Sequence, residues 1–291
     1  MTVVIAGPTG VGKSDLALRV AEAAGGEIVN FDSIQLYRGF DIGSAKPSSS
    51  DRARVPHHLF DVLEATDEFN AADYARLARP LLARIRMPIL VGGTFFYLRA
   101  LLAGLPEMPA RDESIRARLR KIPKERQYRW LSRVDAESAK SIAPGDRHRV
   151  ERALEVWIRS GRPISSWKRP ASEGSARTIA LTLERGELTK RLDARVEQMY
   201  RAGLVDETRA LLTRYPASAR PFSAIGYREA VAVIEGTMSV DEAMRETRRR
   251  TRAYSKRQMT WLRAERNVHW LDAADRDRAF ASALQLIEGE S

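Results

Sequence analysis

The apolar positions of this chain follow two periods in turn. Val3-Val4-Ile5-Ala6 is a short continuous apolar run, and Leu16, Ala17, Leu18, Val20 and Ala21 then recur at helical spacing. The first predicts a buried strand and the second the core face of a helix. Glu27-Ile28-Val29-Asn30-Phe31 predicts another strand, and Val55 to Val62 a loop with a short strand. From Asn70 to Ile85 a helical stripe runs through Ala71, Tyr74, Leu77, Ala78, Leu81 and Leu82. Met87-Pro88-Ile89-Leu90-Val91 predicts a further buried parallel strand, and Phe95 to Leu102 an apolar helix stopped by Gly104-Leu105-Pro106. Strands alternating with helices predict a parallel sheet covered by helices.

From Glu113 the pattern changes to short Arg-rich helical segments broken at Pro123, Pro144-Gly145 and Gly161-Arg162-Pro163. One of them, Asp146 to Trp157, sets Arg149 and Arg152 on one face and Val150, Leu154 and Trp157 on the other. Thr178 to Leu183 alternates as a strand does, which returns the chain to the sheet, and a helix from Leu188 to Met199 follows. The expected architecture is α/β, with a core over 1–112 and 179–291 and an all-helical insertion over 113–178.

A chain of 291 residues can bury a real core in one large domain or two. No apolar run approaches the ~20 residues of a membrane span, and the N-terminus opens directly into a strand rather than a signal peptide. With no cysteine, disulfides, iron–sulfur clusters and Cys-ligated zinc are excluded, and a cytoplasmic protein is expected. The net charge of +11 is uneven. Glu113 to Arg177 holds 17 basic against 8 acidic residues, and Arg245 to Arg266 holds 9 against 2. Two basic blocks suggest a polyanionic partner, and solvated helix faces are the plainer alternative.

Between the first strand and helix lies Gly7-Pro8-Thr9-Gly10-Val11-Gly12-Lys13-Ser14, a G-x-x-x-x-G-K-S phosphate-binding P-loop in its required context. Its backbone N–H groups can curl around an oxyanion at a helix N-terminus. Lys13 adds a full charge, and the Ser14 hydroxyl can ligate Mg²⁺. The second strand delivers Asp32 near this loop, as a general base, a metal ligand or a turn residue. The strand through Val91 closes on Gly92-Gly93-Thr94 where many NTPases carry an acid, which favours transfer to a bound acceptor over NTP hydrolysis. His57 and His58 lack a third ligand at useful spacing, so a structural role is expected for them.

In order along the chain, GPTGVGKS (7–14), DSIQLY (32–37), DIGSAKP (41–47), PHHLFD (56–61), GGTFFYLRALLAGL (92–105), RHRVERALEV (147–156), RLDARVEQM (191–199), IGYRE (225–229) and KRQMTWLR (256–263) resemble the tRNA dimethylallyltransferase family over essentially the whole chain. The resemblance implies transfer of a dimethylallyl group from dimethylallyl diphosphate to N6 of the adenosine immediately 3′ of the anticodon. It implies a P-loop NTPase-like sheet and a tRNA-binding role for the insertion. By residue, it implies that Gly7 to Ser14, Thr9, Lys13 and Ser14 above all, hold the diphosphate or a nucleotide together with Mg²⁺ on Ser14. Asp32 matches the general base and Arg195 the arginine that stabilises departing pyrophosphate. Asp32, Ser33, Ile34, Gln35, Thr94, Arg116, His148, Arg149, Arg152, Gly226, Tyr227 and Arg228 match positions that contact tRNA. Gly10 stands where the family has Ala, Ser44 where it has Thr, and Ser223 where a basic residue is frequent. A monomer without membrane contact is expected.

The chemistry suits these residues on its own terms. The adenine amine is a poor nucleophile until a carboxylate draws its proton away, and an allylic C–O bond breaks readily once pyrophosphate charge is neutralised. Three other readings stay open at this point. A small-molecule P-loop kinase leaves the basic insertion unexplained, an adenylate isopentenyltransferase needs no such surface, and a non-catalytic RNA-binding protein needs neither Asp32 nor Arg195.

Overall fold

The computed structural model describes residues 1–167 and 176–289. In chain order come β1 (Thr2–Ala6), α1 (Lys13–Ala24), β2 (Glu27–Asn30), α2 (Ser49–Arg54), β3 (His57–His58), α3 (Ala71–Arg84), β4 (Pro88–Val91) and α4 (Phe95–Leu102). Four helices follow, α5 (Glu113–Arg120), α6 (Lys124–Val134), α7 (Ala136–Ser141) and α8 (Arg147–Ser160). The chain then continues through β5 (Ala176–Thr182), α9 (Arg185–Arg201), α10 (Leu204–Leu212), α11 (Tyr227–Ile234), α12 (Val240–Arg263), β6 (Val268–Asp272) and α13 (Arg276–Glu288).

The six strands form one sheet in the order β3-β2-β4-β1-β5-β6, and every pair is parallel. β1 lies inside it, between β4 and β5, and Val3, Val4, Ile5 and Ala6 are all 0% exposed. That position explains why its sequence is uniformly apolar rather than alternating. Leu16, Ala17 and Val20 of α1 and Ala279, Ala283 and Ile287 of α13 join Ile5, Ile89 and Ile179 in the main core. α3 and α4 meet through the stacked Tyr74 and Tyr97 rings, 4.9 Å between centroids, and the Tyr74 hydroxyl donates to the Asn30 carbonyl at 3.0 Å. That bond ties a helix to the strand end that carries Asp32. His58 pairs with Glu27 at 2.6 Å and His57 bonds the Val55 carbonyl at 2.8 Å.

The chain divides into two compact units, Met1–Leu102 with Glu173–Ser291, and Ala103–Ser172. The insertion expected over 113–178 overlaps the smaller unit, and 168–175 lie outside the described residues. Within the smaller unit, Ile115, Leu119, Leu131, Val150, Ala153 and Leu154 form the core. No pattern in the sequence marks α2, α10, α13 or β6, the last an edge strand that alternates only weakly, with His269, Trp270 and Asp272 exposed. The basic block Arg245 to Arg266 lies mostly on the 24-residue helix α12.

Candidate active site

The phosphate loop follows β1 directly, and its glycines hold conformations that a side chain would resist. Gly7 has φ 146°, and a Cβ there would sit 2.9 Å from both the Leu181 carbonyl oxygen and Val11 Cγ1. Gly12, φ 108°, is the N-cap of α1 and supplies no capping side chain. First-turn N–H groups are therefore left for an external acceptor. The Lys13 ammonium bonds the Pro8 carbonyl at 2.9 Å, folding back over its own loop. Ser14 is exposed, and among the described residues its hydroxyl has no hydrogen-bond partner.

Asp32 is held by the chain around it. Its N–H donates to Asn30 Oδ1 at 2.7 Å, while Asn30 Nδ2 donates to the carbonyls of Leu59 at 2.8 Å and Asp32 at 3.1 Å. Carboxylate oxygen Oδ1 accepts the Ile34 N–H at 3.0 Å, so one oxygen closes a turn, as the sequence allowed. The other points to the end of β4, where a Cβ on Gly93 would lie 3.1 Å from Asp32 Oδ2. The Gly92-Gly93 pair has a steric cause: a Cβ on Gly92 would meet the Phe31 and Asp32 backbone at 2.5 and 2.6 Å. Thr94 Oγ1 accepts the Ser33 N–H at 3.0 Å and donates to Ser33 Oγ at 3.1 Å, locking the two strand ends together.

Both strand ends, the phosphate loop and Arg195 of α9 line one cavity of about 550 Å³. Among the described residues, neither Lys13 nor Arg195 forms an ion pair. Desolvation lowers the Lys13 pKa to about 7, helped by the Arg195 charge and opposed by Asp32. Desolvation also lowers the Arg195 pKa, against the pull of Asp32. It raises that of Asp32, against the Ile34 N–H and the two cations. Two close cations sharing one carboxylate form a site whose charge an incoming polyanion completes.

Helix α12 supplies residues that the sequence reading did not single out. Gln258, 3% exposed, accepts the Thr9 N–H at 2.8 Å and donates to the Gly93 carbonyl at 3.1 Å. Tyr254 donates to the same carbonyl at 2.8 Å. One amide thus joins the phosphate loop to the loop facing Asp32. The same helix fixes α9: Arg252 pairs with Asp193, Arg248 with Glu197 at 3.5 Å, and Tyr200 bonds Thr247 at 2.9 Å. Asp193 and Glu197 flank Arg195, so its place in the cavity is set from both sides. In the sequence Tyr254 and Gln258 lie within the basic block Arg245 to Arg266, whose charge says nothing of these bonds.

The residues matched to tRNA contact fall into separate settings. Ser33, Ile34, Gln35 and Thr94 line the cavity, with the Gln35 amide bonded to the Ser44 and Ala45 carbonyls at 3.1 and 3.2 Å. In the larger unit Arg228 is exposed and Gly226 has φ 93°. Tyr227 is buried, its hydroxyl donating to Glu207 at 2.6 Å and accepting the Gly43 N–H at 3.1 Å. In the smaller unit His148 and Arg149 are exposed, Arg149 lying 3.3 Å from Asp146. Arg116, matched through the family resemblance, and Arg152, read as sharing a face with Arg149, are both engaged inside the smaller unit. Both bind Glu155, which is 0% exposed, at 3.0 and 2.8 Å, and Arg152 also donates to the Pro109 carbonyl. Together with the Asp112 N–H they hold the Glu155 pKa at about 2 despite its burial.

The family model described as IPP transferase matches residues 35–265, and one described as isopentenyl transferase matches residues 1–56. The chain is 46% identical to "tRNA dimethylallyltransferase 1" of Citrifermentans bemidjiense, over 93% of this chain and 91% of that protein. It is 42% identical to the tRNA dimethylallyltransferase of Geobacter sulfurreducens, again over 93% and 91%. Among solved structures it resembles a tRNA isopentenylpyrophosphate transferase of Bacillus halodurans, with TM-score 0.76 and 35% identity over 99% of this chain and 95% of that one. It also resembles a eukaryotic dimethylallyltransferase solved acting on tRNA, with TM-score 0.83 and 25% identity over 100% and 80%.

Proposed function

Because the chain belongs to the IPP transferase family, we propose that it transfers a dimethylallyl group from dimethylallyl diphosphate to tRNA. The acceptor is N6 of the adenosine immediately 3′ of the anticodon. The observation that carries the reading is the pair Lys13 and Arg195, without ion-pair partners among the described residues, sharing one cavity with the Asp32 carboxylate. The isopentenyl transferase match covers only the first 56 residues, the stretch a free-nucleotide prenyltransferase would share. Nothing else favours that alternative.

In this reading the P-loop amides, Lys13 and Arg195 bind the diphosphate, and Asp32 with Thr94 and Ser33 faces the base. As the allylic C–O bond breaks and the C–N bond forms, the N6 proton passes to Asp32. Desolvation has raised the affinity of that carboxylate for a proton. The charge left on pyrophosphate meets cations already in place, so little reorganisation is needed as it develops. The free Ser14 hydroxyl at the lip of the loop suits Mg²⁺, which takes few protein ligands and fills its shell with phosphate and water oxygens. When bound, that ion would neutralise part of the diphosphate charge. The target base must leave its stack, which costs at most about a few kcal/mol in a single-stranded loop.

For the tRNA surface, the reading relies on exposed polar and cationic residues: His148 and Arg149 of the helical unit, Arg228, and the outward side of α12. A tRNA substrate places the work in the cytoplasm, and the protein is taken to act as a monomer. The test incubates it with labelled dimethylallyl diphosphate and tRNA, AMP, or an ATP/alcohol pair. Label in tRNA alone is expected. Label in AMP, or phosphate on the alcohol, would overturn the assignment.

A further inference from the structure

Beside the active-site cavity lies a second one of about 880 Å³, and the proposed reaction leaves it unused. Only Ala45, Arg195 and Met199 line both. Arg195 and Met199 are four residues apart on α9, so they share a face and lie about 6 Å apart along its axis. In the proposed reaction Lys13 and Arg195 take the diphosphate, and Asp32 and Thr94 face the base. The rest of the wall mixes polar residues such as Gln35, Ser44, Arg191, Thr247 and Thr251 with the apolar Ala45, Val196, Met199, Ala224 and Ile225, of which Val196 and Met199 belong to the helix that carries Arg195. An allyl chain leaving the diphosphate at Arg195 therefore runs toward Met199, and one helical turn matches the reach of an extended five-carbon chain.

We propose that Met199 sets the prenyl chain length, closing the active site against the second cavity so that five-carbon donors fit and ten-carbon allylic diphosphates do not. This rests on the dimethylallyl-transfer reading. The second cavity suits a distal isoprene unit. Ile42, Pro47, Ala53 and Ala202 form its apolar lining. Apart from Arg195, which it shares with the first cavity, its charged groups are paired with one another, Lys46 with Asp41 and Asp61, and Arg52 with Asp61 at 2.7 Å. With geranyl diphosphate the step keeps the same balance. The C1–O bond to diphosphate breaks, the C1–N6 bond forms, the N6 proton goes to Asp32 and diphosphate leaves. Methionine suits a partition because its unbranched, flexible side chain fills an irregular gap without rigid packing.

The test measures kcat/KM with tRNA for dimethylallyl and geranyl diphosphate, identifying the modified nucleoside by mass. Met199→Ala should narrow the preference for the five-carbon donor by at least about tenfold, in line with what loss of a few methylenes from a pocket wall does to discrimination. Adding Ala202→Phe should fill the second cavity and restore the preference. Met199→Val removes less volume and serves if the alanine variant does not fold. An unchanged ratio in Met199→Ala or Met199→Val, with dimethylallyl transfer retained, overturns the gate. Survival of the geranyl gain in the double variant overturns the second cavity as its location. A wild-type protein that transfers neither group to tRNA overturns the dimethylallyl-transfer reading instead.

Discussion

Replacing Gly93 by alanine tests the geometry on which the proposed chemistry depends. Gly93 does not sit at positive φ, so alanine meets no backbone strain and the added methyl acts by contact alone. That methyl would lie 2.7 Å from Gln258 Nε2, 3.1 Å from Asp32 Oδ2 and 3.2 Å from the Tyr254 hydroxyl. The first distance is too short, so Gln258 must withdraw, and its bonds to Thr9 and to the Gly93 carbonyl go with it. One buried and one part-buried hydrogen bond at about 1 kcal/mol each, plus the cost of groups left unsatisfied, give a loss of roughly 2–4 kcal/mol. The methyl also fills space beside Asp32 Oδ2 where an amine must approach to about 2.6–3.2 Å. If the whole loss falls on the transition state, turnover drops about 30- to 1000-fold. Steady-state transfer at saturating dimethylallyl diphosphate, with thermal unfolding in parallel, reads this out. A variant that folds and turns over within about threefold of wild type would show that the acceptor does not pass this point.

Three further outcomes follow from the same site. Asp32→Asn keeps the side chain's size and removes the base, so single-turnover transfer should fall about 10²–10⁴-fold with tRNA affinity little changed. Lys13 titrates near pH 7 in the free protein, and a bound diphosphate restores its charge. Below pH 7 it is charged in both states; above, binding takes up a proton, so diphosphate affinity should weaken by up to about tenfold per pH unit, a trend that Lys13→Met should lose. In the smaller unit, Arg149→Ala should make the log–log salt dependence of tRNA affinity shallower by about one. Arg152→Ala should leave the slope alone and lower thermal stability by about 1–3 kcal/mol, because buried Glu155 loses a partner.

What could be read in the sequence was what neighbouring residues decide together. The P-loop, its strand and its helix lie within the first 24 residues, and Asp32 follows the strand that positions it. The cations at 116 and 152 were visible as charges. The commitment of Arg116 to Glu155 was not, since the two are 39 residues apart and nothing local marks the contact; Arg152 lies three residues before Glu155 on one helix, but that Glu155 is buried shows only in the fold. Arg149 on the same helix stays exposed, 3.3 Å from Asp146. β6 escaped notice because an edge strand with exposed His269 and Trp270 lacks the continuous apolar run that marks β1 and β4.

The largest gap was α12, and its place in the fold explains why. Its contribution to the site is made of hydrogen bonds spanning 249 residues to Thr9 and 165 to Gly93. A glutamine within an Arg-rich helix gives no hint of either. Yet these bonds determine how far the diphosphate cradle stands from the acceptor loop. The ion pairs from Arg248 and Arg252 determine where Arg195 sits. Donor, acceptor and leaving-group cation are thus referenced to one rigid element rather than to each other. A transferase needs such a frame more than a hydrolase does, because two large substrates must meet with reacting atoms about 3–3.5 Å apart. The arginines of α12 are divided: Arg248 and Arg252 are spent on carboxylates of α9, Arg250 on Glu229 of α11 and Arg249 on Glu246 of its own helix, and the remaining exposed cations are left for an RNA backbone. Counting every cation in 245–266 as RNA-facing therefore overstates the electrostatic footprint, and a measured salt slope should fall short of that count.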